Sequence, residues 1–565
     1  MKKKAEIYYF SSLILFFFGG ILLNFKLAYD YTLIKNLFGL LFCLLISIYF
    51  IFTKKEFVFT NSSFPAIFFY TWILISSFYA PFKYGAGKLL ENYILYFLIF
   101  IISSNIEMKK EYLYLWIVAG TIASIIGIFQ FCGPRHYAIS TFGNPNFYAG
   151  HILMPLCLSF ANILNWKEYQ NKFLKYFDIL LLIFGIWCLI LTDSKAAQFA
   201  LIFGFSFIWY LKNFERKGML KFAGFFFIFF VLLILYPKIT VWFKENIRYY
   251  IWPGTIKMII KKPILGWGFG NFIFFYPYFR KREYFLRPES TPVTNHPHNE
   301  FLELWAEIGL IGLCLFIFLI LFSIIRIIKK RNSLNIACSG GVISVLFDNI
   351  FSTNLRNPST SMFFWFLIGL ISNKETNGEK IDFTFSKFLW NSIILASFIL
   401  FIFHSTYRIL PQVYFKNGEK WKELKVYDES IKNYTIACNL DPYNYEVFYK
   451  LAFVYGQIKD YKKSEMIYLY INNYLFPHFA KTDANLGTVY VHLGDFKKAL
   501  SYYKIAEWFN PYDEDVLCSI ASIYLLYYNN IEKAKNYLEK VLRINPKNNY
   551  ANRVLFILKK KGEIK

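Results

Sequence analysis

Two imidazoles stand two residues apart in His296-Pro297-His298-Asn299-Glu300. Histidine is the side chain whose proton affinity lies near neutral pH, so such a pair can take up and return a proton. Upstream stand cations able to hold an oxyanion: Lys195 in Thr192-Asp193-Ser194-Lys195, and Arg248 at the head of a segment that runs on to Phe272. The planar guanidinium of Arg248 can hold two phosphate oxygens at once. Gly143-Asn144-Pro145-Asn146 adds two amides at a turn that opens an apolar run, with His151 one turn inside it.

Each cluster also has a plain structural reading. Asn144 and Asn299 can cap helices, and Glu303 suits the first turn of one. Asp193 and Lys195 can form a solvated pair. Glu303 and Glu307 read as helix residues, with substrate contact as the lesser role. Two histidines near glutamates could bind a metal, but the spacing is not His-Glu-x-x-His and no other ligand set is evident, so no metal or cofactor is expected. Residues 249–262 read as a surface helix carrying Lys257, Lys261 and Lys262. The following Gly266-x-Gly268-x-Gly270-Asn271 allows a tight backbone path, without the strand-then-helix setting of a nucleotide fold.

These residues sit between apolar runs. The chain is 56% hydrophobic and 18% charged with a mean hydropathy of +0.36, where soluble domains are about a quarter charged. Runs at 7–25, 33–52, 64–80, 88–103, 112–131, 147–164, 176–191, 197–211, 220–237, 301–325, 333–351, 360–372 and 388–405 read as about thirteen membrane helices. The net charge of +25 does not point to nucleic acid, because the lysines and arginines concentrate in alternate gaps between runs. That is the positive-inside pattern. It places the N-terminus in the cytoplasm and Arg135, Lys195, the histidine loop and Arg356 outside. An odd count sends the C-terminal part outside as well. The eight cysteines are scattered without a Cys-x-x-Cys and imply neither a disulfide framework nor a zinc site. The lysine-led start reads as an uncleaved first span.

The C-terminal part repeats. Asp441-Pro442, Phe476-Pro477, Asn510-Pro511 and Asn545-Pro546 recur every 34 or 35 residues, as do Tyr455, Tyr490 and Tyr524 nearly. The pattern resembles the tetratricopeptide repeat, in which helix pairs bury their faces only by stacking. About three units are expected, preceded by a helix near 421–440. The expected fold is therefore all-α: a polytopic membrane domain over 1–406 with an outer catalytic loop at 238–300, then an α-solenoid over 407–565.

Taken in order, the motifs over about 130–372 resemble the O-antigen ligase and polymerase superfamily. Its members carry a Gly-Asn-Pro-Asn turn, a Thr-x-Ser-Arg turn, an Arg-x-x-x-Trp segment leading to Pro-x-x-Gly-x-Gly-x-Gly-Asn-Phe, and His-Asn before Glu-x-Gly-x-x-Gly. Here these are Gly143 to Asn146, Thr192 to Lys195, Arg248 to Phe272, and His298 to Gly312. Lys195 departs from the usual arginine, keeping the charge without the bidentate fork. The resemblance implies a fold like that of the C-type glycosyltransferases and an inverting, metal-independent transfer on the outer face of the bacterial inner membrane. The implied donor is a glycan on undecaprenyl pyrophosphate, and the acceptor a lipid or protein hydroxyl. On this reading His298 is the base, with His296 second or supporting, and Arg248 then Lys195 and Arg356 hold the pyrophosphate. Asn144, Asn146 and Asn299 shape the site. Ligase, polymerase and protein O-oligosaccharyltransferase remain open, as does a scaffold or transporter whose repeats bind a protein partner.

Overall fold

The computed structural model describes residues 2–23, 32–59, 63–133, 137–165, 173–213, 246–329, 331–373, 383–385 and 388–563. The run expected at 220–237 and Arg135 lie outside the described residues. The chain forms two compact units. One comprises Met1–Trp242, Ile259–Phe272 and His296–Ile409; the other comprises Phe243–Met258, Ile273–Asn295 and Leu410–Lys565.

The first unit is helical because a helix satisfies its own backbone polar groups, which lipid cannot do for it. Among the described residues, seven helices are long and apolar enough to cross a membrane: Leu33–Phe52, Lys83–Ser103, Lys110–Phe131, Pro145–Leu164, Leu174–Leu191, Glu300–Lys329 and Phe388–Glu423. Glu6–Leu22, Ser63–Tyr79, Ser333–Asp348 and Pro358–Ile371 are shorter apolar helices. Lys195–Lys212 fills the run expected at 197–211. A short antiparallel pair, Phe57–Phe59 with Phe383–Phe385, is the exception to the all-α pattern. The abundant phenylalanines fill the core: the Phe16 ring lies 4.5 Å from Phe42 and 4.7 Å from Phe363.

Ionisable groups are buried among these helices. Glu91 binds His404, and Arg408 approaches it at 3.1 Å. Asp178 accepts from Tyr114 at 2.7 Å and Asn162 at 3.1 Å. Lys35 donates to the Ile21 carbonyl at 3.2 Å and lies 3.8 Å from the Phe142 ring centre.

The helix Glu300–Lys329 is broken at Gly309, where φ is 70°. A break in an apolar helix strands carbonyls on one side and amides on the other. The glycine-rich segment meets both sets. Trp267 and Gly268 donate their amides to the Ala306 and Glu307 carbonyls at 2.9 and 2.8 Å, and Trp72 Nε1 donates to Ile308 at 2.9 Å. In return the Pro263 carbonyl accepts from the Leu310 amide at 2.9 Å. The backbones approach so closely that a Cβ on Gly266 or Gly309 would strike main chain, and both have positive φ. Asn271 completes the fit: its amide group pairs with the Phe82 N–H at 2.9 Å and the Phe82 carbonyl at 3.1 Å.

The second unit contains four helix pairs: Leu410–Glu423 with Tyr427–Leu440, Tyr445–Gln457 with Tyr461–Tyr470, Thr482–His492 with Phe496–Phe509, and Glu514–Leu526 with Ile531–Ile544. Asn549–Lys560 follows as a last helix. The helix expected near 421–440 thus begins after a turn at 424–426, and the preceding Leu410–Glu423 makes its pair. Small residues recur at Gly418, Ala452, Gly487 and Ala521, and tyrosines at Tyr434, Tyr468, Tyr503 and Tyr537. The two series meet: a Cβ on Gly418 or Gly487 would strike the ring of Tyr434 or Tyr503. Asp460, Asp495, Asp513 and Asn530 cap their helices.

Gly309→Ala should destabilise the folded protein by about 2 kcal/mol or more, since the side chain meets both a forbidden φ and a backbone wall. Gly87→Ala, at an exposed helical site with open space around the added carbon, should be neutral or slightly stabilising. Thermal unfolding in detergent compares the two; equal melting temperatures would contradict the account of the break.

Candidate functional site

The start of the helix Glu300–Lys329 carries Glu300, Glu303 and Glu307 on one face, and all three turn to Arg356. Arg356 Nε donates to both oxygens of Glu300 at 3.0 and 3.2 Å, and Nη1 donates to Glu307 at 2.8 Å. Glu303 lies 3.6 Å from Nη1. All four side chains are buried. Glu307 also accepts from the Phe272 amide at 3.1 Å, so the glycine-rich segment is fastened to the same cluster.

One guanidinium cannot neutralise three carboxylates, and a second cation is drawn in. His296 Nδ1 lies 2.8 Å from Glu303, with 37% of the imidazole side chain exposed. Burial disfavours its charged form, but the Glu303 carboxylate and their hydrogen bond outweigh this and raise its pKa above the ordinary histidine value. Asn299 caps the helix, its Oδ1 accepting from the Leu302 amide at 3.0 Å. Between these two anchored residues stands His298, exposed and held at a φ of 55°. Positive φ is uncommon outside glycine, though histidine adopts it more readily than most residues.

The loop that carries Arg356 reaches the Gly143–Asn146 turn. Asp348 accepts from Ser352 and Asn354, each at 2.7 Å, and Asn354 donates onward to the Asn146 carbonyl at 3.0 Å. Asn349 ties the same loop to the helix start by accepting the Glu300 amide at 2.9 Å. Asn144 caps Pro145–Leu164, its side chain accepting from Asn146 N at 2.9 Å. His151 is a buried core histidine that contacts the Ser359 carbonyl at 2.7 Å and Trp116 Nε1 at 3.2 Å.

Other expected residues are placed differently. Lys195 is exposed and paired with Asp193 at 2.7 Å, the solvated pair of the plain reading. Arg248, in the second unit, opens the helix Arg248–Lys261 and donates to Asn246 through its backbone at 3.0 Å and Nη1 at 3.1 Å. Arg356 requires a correction. It was expected to hold a pyrophosphate, but its guanidinium is buried and engaged by carboxylates, which makes it the anchor of the histidine helix. The Glu300–Glu303–Glu307–Arg356 assembly was not foreseen as a unit. Its signal was present as three glutamates at i, i+3 and i+7 on an otherwise apolar helix.

The family described as O-antigen ligase matches residues 180–317, which include Lys195, Arg248, His296 and His298. A tetratricopeptide repeat family matches 514–548. A candidate polysaccharide ligase of Rickettsia typhi is 30% identical over 126 residues, 22% of this chain and 26% of that protein. Its counterpart in Rickettsia felis is 31% identical over the same length and shares. The matched region therefore spans about a quarter of these curated relatives. The crystal structure of MamA aligns with 28% of this chain and 89% of its own, at 18% identity and a TM-score of 0.24.

Arg356→Ala should leave three buried carboxylates without their cation and cost about 3–5 kcal/mol, seen as loss of monodisperse protein in fluorescence-detected size exclusion. A well-folded variant that only binds donor less tightly would restore the expected pyrophosphate role. The His296–Glu303 pair has its own signature. A folded-state pKa above the unfolded one stabilises the protein fully below the ordinary histidine value, and that contribution is lost as pH rises through the raised value. The melting-temperature gap between wild type and His296→Gln should therefore be widest below the ordinary histidine value and shrink as pH rises above it. A gap that widens with pH would refute this.

Proposed function

We propose that this membrane protein transfers a glycan from a polyprenyl pyrophosphate to an acceptor hydroxyl outside the inner membrane, in the manner of an O-antigen ligase. The observation that carries the reading is His298, an exposed imidazole at a left-handed backbone position, lying within the segment that matches the ligase family. The acceptor hydroxyl gives its proton to His298 as its oxygen attacks the anomeric carbon. The bond from that carbon to the pyrophosphate oxygen breaks from the opposite face, which inverts the configuration. Polyprenyl pyrophosphate leaves with the bonding electrons and accumulates negative charge.

Arg248 is assigned to that charge, since a two-pronged guanidinium suits adjacent phosphate oxygens. Lys195 is a second cation, exposed and paired with Asp193 in a surface contact that a phosphate can replace. Side-chain cations of this kind make the reaction independent of a metal ion. His296 supports the segment through Glu303, and Asn144, Asn146 and Asn299 shape the turns on either side. The acceptor class separates three variants of this reading. A deletion strain that accumulates lipid-linked polymer indicates a ligase, one with single repeat units indicates a polymerase, and one lacking only glycoproteins indicates a protein glycosyltransferase.

His298→Ala and Arg248→Ala should each lower transfer by about 10²–10⁴-fold with membrane insertion and elution profile unchanged. Activity should survive a chelator. Near-normal transfer by either variant would remove that residue from its role, and loss of activity on chelation would overturn the metal-independent mechanism.

A further inference from the structure

The turns that separate the repeats carry Asp441, Asn510 and Asn545 directly before a proline, but Phe476 at the corresponding place. The polar residue has a local task. Asn510 Oδ1 accepts from the Tyr512 amide at 3.1 Å, and Asn545 Oδ1 from the Lys547 amide at 3.1 Å. Phe476 cannot do this. The equivalent amide, that of His478, donates instead to Asn472 Oδ1 at 3.0 Å, presented by the wide helical turn Ile471–Leu475. Asn472 and His478 in turn hold the Asp483 carboxylate, each at 2.8 Å. The turn is closed by other residues, which leaves position 476 open to an aromatic ring.

That ring is 1% exposed, and part of its cover comes from another stretch of the unit. Its centroid lies 4.5 Å from that of Phe274 and 5.1 Å from that of Tyr445. The contacts continue at a spacing of four residues. Tyr278 meets the edge of Phe509 at 5.5 Å and His478 at 6.2 Å, and Arg282 lies over Trp508 at 5.8 Å. Beyond these points the segment folds on itself. Arg280 donates to the Pro292 carbonyl at 3.1 Å and stacks over Phe285 at 4.4 Å. Aromatic and cation–π pairs of this kind give both attraction and orientation.

We infer that the turn edge of the repeat domain is a binding site for the chain's own loop, with Phe274, Tyr278 and Arg282 as its ligands. The repeats are then a positioning element of the transferase. They hold the stretch between the glycine-rich segment and the histidines, and they lie on the same side of the membrane as that loop. This role for the repeats in transfer rests on the proposed glycosyltransferase reading; the docking itself does not.

Phe476→Asn in the full-length protein separates the two. The change installs the residue used at two other turns but also removes a buried ring packed on Tyr445 and Phe479, so thermal unfolding is followed beside it. Tyr278→Ala, which removes a loop contact at a half-exposed side chain and leaves the repeats unaltered, should show the same cleavage and transfer. Tryptic cleavage after Arg280, Lys281 and Arg282, followed by mass spectrometry, should accelerate about tenfold as the loop is released. Glycan transfer should fall by at least a comparable factor, and Phe476→Tyr should restore both. Unchanged cleavage at these three sites would overturn the docking. Faster cleavage with unchanged transfer would overturn the positioning role. A wild-type protein without transferase activity would remove the proposed reaction, while the cleavage rates would still decide the docking.

Discussion

The break at Gly309 is the constraint from which the first unit's functional region follows. A helix interrupted among apolar neighbours exposes carbonyls and amides that nothing in a hydrocarbon environment can satisfy. A second backbone answers carbonyls and amides together once it comes within hydrogen-bond distance. That requirement explains the glycines at 266 and 309, since any side chain there would hold the two main chains apart. It also explains Trp72, whose indole N–H takes the Ile308 carbonyl that the incoming segment does not reach. The break thus determines where the Pro263–Phe272 stretch must lie, and with it the residues on either side.

The charge cluster acts on the same helix between its start and the break. Three carboxylates and a guanidinium are costly to bury, and well-packed apolar residues could replace such a group at little loss of stability. What apolar residues could not do is specify direction. Arg356 joins the loop before Pro358–Ile371 to the helix start, and Glu307 extends the link to Phe272. The surplus of carboxylate then recruits His296, which fixes the backbone just before His298. The network costs desolvation and returns orientation at the start of this helix.

Much of this was legible in the sequence. The apolar runs became helices wherever the chain is described, and the Asn299 and Asn144 caps followed from residue type and position. The repeat period correctly located the helix pairs because small residues and tyrosines must alternate for each pair to stack. What could not be read were properties of three-dimensional partnership. Arg356 looked like a free cation because its three carboxylates lie 49 to 56 residues away in the chain. Glu91, Asp178 and Lys35 were lost in apolar runs, since one charge among many hydrophobic residues hardly alters their pattern. The first repeat helix was missed because Phe388–Glu423 runs without interruption from membrane-type sequence into repeat-type sequence.

The loop at 238–300 was expected as one body, and its actual division bears on mechanism. The chain passes between the two units after Trp242, Met258, Phe272 and Asn295, and again after Ile409. Four of these five crossings fall within the stretch that carries Arg248, the glycine-rich segment and the histidine pair. Arg248 belongs to the unit built on the repeats, and His298 to the unit built on the apolar helices. The residues proposed as cation and base thus belong to different compact units. Each unit holds its own part of the stretch: the aromatic edge at Phe476 packs on Phe274 in one, and in the other the Arg356 cluster fastens the helix start and Phe272.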